Sequence, residues 1–391
     1  MIDFDFDKYC SGCAACYSVC TTNAIEMTEN QEGFLMPKVS LDKCISCGKC
    51  DKVCPHLNNK KKNNGCIEGA WLYCSDNNSA KMNSASGAAG YELMSAMLNS
   101  DGYICGCVWD SNLNAKHIVG STENVLHKIQ GSKYVQSDIN DTYKKIVELL
   151  EDGKKVVFTG TPCQATAIHN IVSNVSGGKY RNSLLTVAVI CHGVASPMVW
   201  NSFKKWTSNN HGSELVGVNF RDKSKEGYRK SYCKYDYKDG TSIYLPTFLP
   251  SSKYIEATLV YNLALRKSCE HCDAKGINTG IDLIIGDWYA EYKGEGSLGT
   301  SCIVAFTERG RIYVTKNLSG LREVDYDVIL EKNNFIRDSV KFPVNRNKFM
   351  HNIINDTEYW NYVEKMYPRK YKLKKLLVRT GMYDIIKKIS G

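Results

Sequence analysis

No stretch of the 391-residue sequence approaches the roughly 18 consecutive apolar residues that a membrane-spanning helix needs. Its start, Met1 to Lys8 with Asp3, Asp5 and Asp7, lacks the basic residues and apolar run of a secretory signal. These two absences lead to the expectation of a cytoplasmic protein. No Gly-x-Gly-x-x-Gly runs out of a strand to open a helix, so a standard dinucleotide fold has no support. Nothing points to sequence-specific nucleic-acid recognition. A composition of 43% hydrophobic and 23% charged residues excludes a disordered or fibrous chain, and at roughly 100 to 200 residues per domain the length suits two or three domains.

What the sequence has in abundance is cysteine, 18 residues in all. In a reducing compartment, clustered thiolates hold metal more often than they form disulfides. Cys10, Cys13, Cys16 and Cys20 recur as Cys44, Cys47, Cys50 and Cys54, each displaced by 34 residues. Such duplication predicts two similar half-motifs about a local pseudo-twofold. Cys-x2-Cys-x2-Cys-x3-Cys lets three thiolates of one tight loop hold three irons of a cubane, and in bacterial ferredoxins the fourth cysteine serves the other cluster. The expected sets are therefore Cys10, Cys13, Cys16 and Cys54 for one [4Fe-4S] cluster, and Cys44, Cys47, Cys50 and Cys20 for the other. Zinc also takes four thiolates, but zinc ribbons usually supply two Cys-x2-Cys pairs, a different spacing.

Charge is uneven. The net +9 divides into −3 over residues 1–58, with 5 basic and 8 acidic side chains, and hence +12 over the remainder. Residues 365–391 hold 9 basic side chains against Asp384 alone. Asn58 to Gly65 (NNKKKNNG) is polar and aperiodic, which predicts a linker at 59–65 between a head at 1–58 and a body at 66–325. Residues 326–391 are read as a basic helical extension that could touch a membrane surface or a protein partner, although such a run is more often a solvated face.

Within the head, strands are expected at Asn23 to Met27 and Phe34 to Val39. In the body, strand-like and helix-like segments alternate, which predicts a mixed α/β fold: a small α+β head of bacterial-ferredoxin type followed by a larger α/β domain. Expected strands include Ile67 to Cys74, Tyr103 to Trp109, Lys155 to Thr159, Leu184 to Ile190 and Ile281 to Ile285. Expected helices include Gly87 to Asn99, Asp141 to Glu151, Cys163 to Val172 and Ile255 to Lys267.

Four body cysteines sit in distinctive settings. Cys163 follows Thr161 and Pro162 at a helix start, a position that favours thiolate. Cys191 ends a buried strand beside His192, and Cys269 and Cys272 form a Cys-x2-Cys pair. Together they could close a third cluster; singly, each could equally be a core thiol. Ser84-Ala85-Ser86-Gly87-Ala88-Ala89-Gly90 brings small residues into a helix start, which exposes amides to a phosphate or simply packs tightly.

Taken in order, the doubled cysteine pattern, Ser84 to Gly87, Gly131-Ser132-Lys133-Tyr134, Gly160 to Gln164, Cys191-His192-Gly193, Phe220-Arg221-Asp222-Lys223, Cys269-x2-Cys272, Gly286-Asp287-Trp288 and Gly299-Thr300-Ser301 resemble the beta subunits of coenzyme F420 hydrogenases and dehydrogenases, in the bacterial form with an N-terminal ferredoxin module. The resemblance covers the head and the body to about Thr307. It implies an FAD in the body, a third [4Fe-4S] cluster beside it, and an oxidoreductase in which electrons pass between clusters and flavin. Ser84, Ser86, Gly87, Lys133, Tyr134 and Thr161 would lie along the flavin. Arg221 and Lys223 would face its phosphates or an anionic substrate, Lys223 as a catalytic candidate, and Asp287 would close the pocket. His192 is the second catalytic candidate, as a proton donor or a hydrogen-bonding partner of cluster or flavin. Ala88 stands where the family commonly has a second glycine. Implied partners are ferredoxin or another one-electron carrier, and a hydride donor or acceptor such as F420 or a nicotinamide. A rival reading is an electron-transfer subunit that serves a partner enzyme, for example in surface-polysaccharide synthesis.

Overall fold

The computed structural model describes residues 2–59, 65–247, 251–289 and 298–367, together with 373, 376 and 377. The head contributes β1 (Ile25–Glu29) and β2 (Leu35–Val39), paired antiparallel between the two cysteine loops. The body follows with β3 (Gly69–Tyr73), β4 (Tyr103–Trp109), β5 (Ala115–Gly120), β6 (Val156–Gly160), β7 (Leu184–Val189), β8 (Leu215–Asp222), β9 (Tyr232–Tyr237), β10 (Ser242–Pro246), β11 (Leu283–Trp288), β12 (Thr300–Ala305) and β13 (Arg322–Glu323).

Eight of these form one sheet in the order β13-β3-β12-β11-β7-β6-β4-β5. Its centre, β4, β6, β7 and β11, is parallel, and antiparallel strands flank it on both sides. The β7 sequence LLTVAV is buried through its first five residues, as expected of a parallel strand covered on both faces. One face packs Leu93, Met94 and Met97 of the helix Ala89–Leu98 against Leu185, Val187 and Ile285. The other packs Tyr143, Ile146 and Ile168 against Phe158 and Ala188, and the same core takes in Cys13, Ala14 and Val53 of the head. A third core surrounds the three-stranded sheet β8-β9-β10, built from Trp200, Phe203, Tyr235, Tyr254 and Trp360.

The mixed α/β class stands, with several local corrections. β1 begins two residues later than the sequence suggests, because Asn23 turns through a left-handed φ of 51°. The helix expected over Ile255 to Lys267 ends at Val260, where Asn262 takes φ 54° and Leu263 N–H donates back to the Ala257 carbonyl. Gly294, Gly296 and Gly299 have dinucleotide-loop spacing, but residue 300 opens a strand and residues 290–297 lie outside the described residues. Residues 346–367 are not a free extension: Phe349, Ile353 and Trp360 are fully buried in the third core. The basic residues Lys370, Lys372, Lys374, Lys375 and Arg379, and most of the linker, lie outside the described residues. No described helix is long and apolar enough to cross a membrane.

Candidate functional site

The C-terminal ends of β4, β6, β7 and β11 open into a cavity of about 930 Å³, within the usual range for cofactor sites. This is where ligands of parallel α/β sheets sit. Its lining includes Ser84, Ser86, Lys133, Tyr134, Thr161, His192, Arg221 and Asp287, which the fold gathers from widely separated chain segments.

Their roles differ. The Ser84–Ala88 loop leads into the helix Ala89–Leu98 with Ala88 at φ 68°, a conformation natural to glycine. Ser86 Oγ lies 2.9 Å from Ser301 Oγ, which ties the loop to β12. Gly87 is behind the cavity wall. A Cβ there would meet the Tyr73 carbonyl at 2.5 Å and the Ser301 nitrogen at 2.7 Å, so this glycine permits a close backbone approach. The Lys133 ammonium lies within reach of four carbonyls, closest to Gln130 at 2.6 Å and Ile129 at 2.8 Å, and so caps the helix Glu123–Ile129. Burial lowers its pKa to about 8, with Cys107 opposing.

Arg221 donates to Asp287 at 2.7 Å, and both belong to the wall. Lys223 does not line the cavity. Its ammonium donates to the carbonyls of Lys81 at 2.6 Å, Ser86 at 2.8 Å and Leu298 at 2.5 Å. Burial brings it down to about 7. This placement ties Lys223 to the small-residue loop, outside the cavity lining. His192 Nε2 is 2.5 Å from Asn262 Oδ1, its ring stands edge-on to Phe335, and burial lowers its pKa.

Sequence reasoning missed His117. Its Nε2 lies 3.1 Å from the Thr159 carbonyl and Nδ1 is buried with no hydrogen-bond partner among the described residues. Burial lowers its pKa to about 4, so near neutral pH the imidazole is uncharged. With Nε2–H donating to the carbonyl, Nδ1 is an acceptor at the cavity wall. A lone histidine on β5 carries no motif, so no sequence signal marks it.

Cys163, Cys191, Cys269 and Cys272 converge on a second, small cavity of about 40 Å³. Cys163 sits at the helix start that Thr161 and Gln164 cap reciprocally, with Thr161 Oγ1 3.1 Å from its sulfur. Its pKa is nonetheless raised: burial outweighs the Thr161 hydrogen bond and the nearby Arg266 charge, contrary to the thiolate expected there. Burial likewise pushes Cys272 up to about 12. Such thiols would shed protons when a metal binds. Residues 191–194 line this cavity and the large one alike. Lys275, which the sequence did not flag, donates to the Cys191 carbonyl at 2.9 Å.

In the head, burial raises the pKa of Cys13, Cys16 and Cys54, and the neighbouring Cys10 adds to each shift, as Cys163 does at Cys13. Cys20, Cys44, Cys47 and Cys50 surround a separate cavity of about 20 Å³. These are the two crossed groups that the spacing predicts. Among the described residues no three such side chains close on one point as a single-ion shell; the thiols instead ring small cavities, which suits a cluster held by its corners. Arg266 fastens the head to the body, donating to the Cys10 carbonyl at 2.7 Å, the Leu35 carbonyl at 2.9 Å and Gln136 Oε1 at 3.0 Å. Arg346 grips Glu32 with two bonds of 2.9 and 2.7 Å.

Comparison with known proteins follows the same division. Residues 9–58 match the 4Fe-4S dicluster domain, and residues 153–322 match the family described as the C terminus of the coenzyme F420 hydrogenase/dehydrogenase beta subunit. The second match lies within the body, over residues 153–322. Over 57 residues the chain is 37% identical to an uncharacterized polyferredoxin-like protein of Methanocaldococcus jannaschii, a match covering 12% of this chain and 34% of that one. The chain thus spans about a third of the length of this curated relative. It is also similar to a chain of the F420-reducing [NiFe] hydrogenase complex from Methanosarcina barkeri, with a TM-score of 0.48, 16% identity, and coverage of 78% of this chain and 95% of that one. The shared wall at residues 191–194 lies inside the matched region, whereas the lining from Ser84 to Ser137 precedes it.

Proposed function

We propose that the protein is an iron-sulfur flavoprotein oxidoreductase that moves electrons between [4Fe-4S] clusters and an FAD in the 930 Å³ cavity. Its partners on this reading are ferredoxin or another one-electron carrier at the head, and a hydride donor or acceptor of the F420 or nicotinamide class at the flavin. The observation that carries the reading is the wall at residues 191–194, common to the cofactor-sized cavity and the four-cysteine cavity. Two redox groups seated there would be separated by a few side chains.

The residues present fit both groups. Cys163, Cys191, Cys269 and Cys272 would hold the third cluster. Ala88, Ala89 and Gly90 at the start of the helix line the cavity, and a helix start is a natural seat for phosphate. His117 Nδ1 would accept a hydrogen bond from an N–H or O–H of the ligand, and Tyr134 would form part of the enclosing wall. FAD, when bound, supplies two-electron exchange on one side and single-electron exchange on the other. Lys223 keeps the loop closed around it, and the Arg221–Asp287 pair fixes the far wall. The head at 1–58 and the body at 66–325 then divide the work between carrier and substrate.

Anaerobic protein should contain about 12 irons, matching sulfide and one FAD per chain, the sum expected of three four-iron clusters. Cys16→Ala and Cys50→Ala should abolish viologen coupling yet leave flavin reduction by reduced F420, NADH or NADPH intact. Loss of hydride reduction in both variants, with FAD retained, would show that the head belongs to the hydride site. Protein without flavin would overturn the flavoprotein reading.

A further inference from the structure

The charge of the head is segregated. Residues 38–52 carry Lys38, Lys43, Lys49 and Lys52 against Asp42 and Asp51, a balance of 4 − 2 = +2, whereas residues 1–37 carry only Lys8 against six acids, or −5. The acidic part includes side chains turned to the body: Asp7 pairs with Lys267 and Glu32 with Arg346. The basic part is turned to solvent. Lys38, Lys43 and Lys52 are exposed, and none of the four lysines forms a salt bridge among the described residues.

In the same stretch Leu41 is 71% exposed and Ile45 is 66% exposed. Ile45 lines the outer cysteine cavity, and Cys47, one of its four thiols, is itself exposed. Two large apolar side chains in water, beside the exposed Cys47 and flanked in sequence by Lys38 and Lys43, form a small contact patch.

We propose that Leu41 and Ile45, in a segment whose exposed Lys38, Lys43 and Lys52 give it a net positive charge, form the docking surface for a small acidic one-electron carrier protein, which delivers electrons to the cluster held by Cys20, Cys44, Cys47 and Cys50. This rests on the redox reading above and locates its entry point. The carrier is acidic because the exposed lysines steer opposite charge, and it is a protein because apolar contact area would add little for a small dye. In the step itself the reduced carrier loses one electron and the outer cluster gains it; no bond forms or breaks and no proton moves.

The test uses the full-length chain with its clusters, a reduced acidic ferredoxin as probe, and methyl viologen as the small control. Lys38→Glu/Lys43→Glu/Lys52→Glu should lower the second-order rate with ferredoxin at least tenfold at low ionic strength and flatten its salt dependence. Leu41→Ser should lower that rate several-fold with salt dependence kept. Viologen reduction and iron content should be unchanged in both. A readout without turnover is binding of oxidised ferredoxin, whose Kd should rise at least tenfold in the triple variant. Equal ferredoxin rates and Kd values across wild type and both variants, with viologen still reducing the clusters, would overturn the docking surface alone. A wild-type chain that holds no clusters overturns the redox reading and this proposal with it.

Discussion

Cys13 and Cys47 occupy the same position in the two repeats of the head, yet Cys13 is buried against the body and Cys47 is exposed to water. Their loops have nearly the same backbone. Gly12 and Ser46 take left-handed φ values of 63° and 50°, and Ala14 and Gly48, two residues on, take 60° and 71°. The duplicated spacing therefore dictates a duplicated conformation, whichever residue stands at each point. What differs is the neighbourhood. A Cβ on Gly12 would meet Arg266 Nη1 at 2.6 Å and the Leu35 carbonyl at 2.8 Å, while one on Gly48 would meet nothing within 4 Å. Loop conformation is encoded locally, and what the body places beside each loop leaves one buried and the other exposed.

The largest expected effect comes from forcing the outer residue into the inner loop. Gly12→Ser should push Arg266 out of its pocket and leave the Cys10 and Leu35 carbonyls without their donor. Arg266 is 2% exposed, and a buried guanidinium that loses its partners costs about 3 kcal/mol or more. Urea denaturation under anaerobic conditions should show that loss, together with slower electron passage from head to body. A stability change under about 1 kcal/mol would mean the head is held chiefly by its other contacts.

Metal removal should separate the two sites next. The thiols around the outer cavity include exposed Cys47, whereas Cys13 is buried and Cys54 and Cys16 are largely so. Treatment with mild oxidant and chelator should therefore release iron in phases, with about 4 of about 12 irons lost first, at least tenfold faster than the next group. Release in a single phase would erase the distinction between inner and outer.

A finer contrast lies in thiol ionisation. Burial pushes Cys54 up to about 11. At Cys20 burial also raises the pKa, but hydrogen bonds from Thr22 and from the Ala24 amide outweigh it and the net shift is downward. Because the thiolate is the reacting form, iodoacetamide at pH 8 should label Cys20 of the metal-free chain well ahead of Cys54. The Cys54 rate should climb with pH up to about 11, while that of Cys20 levels off earlier. Equal rates would show that the metal-free head does not keep this packing.

The same division between local and long-range causes explains what could be read in advance. The dicluster character of the head was legible because the doubled cysteine spacing is local to two tight loops. Strands β6 and β7 were legible as apolar runs. Cys163, Cys191, Cys269 and Cys272 come from three separate segments, brought together by the adjacency of β6 and β7 and by the Ala195–Leu265 bridge; the ordered family motifs, not spacing, suggested the set. Lys223 reads in the sequence as a lysine in a charged turn, and its contact with three carbonyls depends on loops far away in sequence. His117 and Arg266 were invisible for the same reason: their partners lie 42 and up to 256 residues away.

The smallest effect sharpens the comparison from the opposite side. Ser46 is exposed, sits at φ 50°, and matches Gly12 in the other repeat. An L-residue in the left-handed region costs roughly 1 to 2 kcal/mol, and glycine returns part of that gain through its greater freedom in the unfolded chain. Ser46→Gly should thus stabilise the outer loop by about 0.5 kcal/mol, a rise of about 1 °C in the melting temperature of the cluster-loaded protein, with iron content unchanged. The inner loop has already taken this option, because Arg266 leaves room for nothing else. The outer loop faces water, where only the backbone penalty discriminates, and that penalty is small enough for serine to persist. A fall in melting temperature for Ser46→Gly would show that the serine hydroxyl holds the outer loop, and that the outer half, like the inner, is specified by its neighbours.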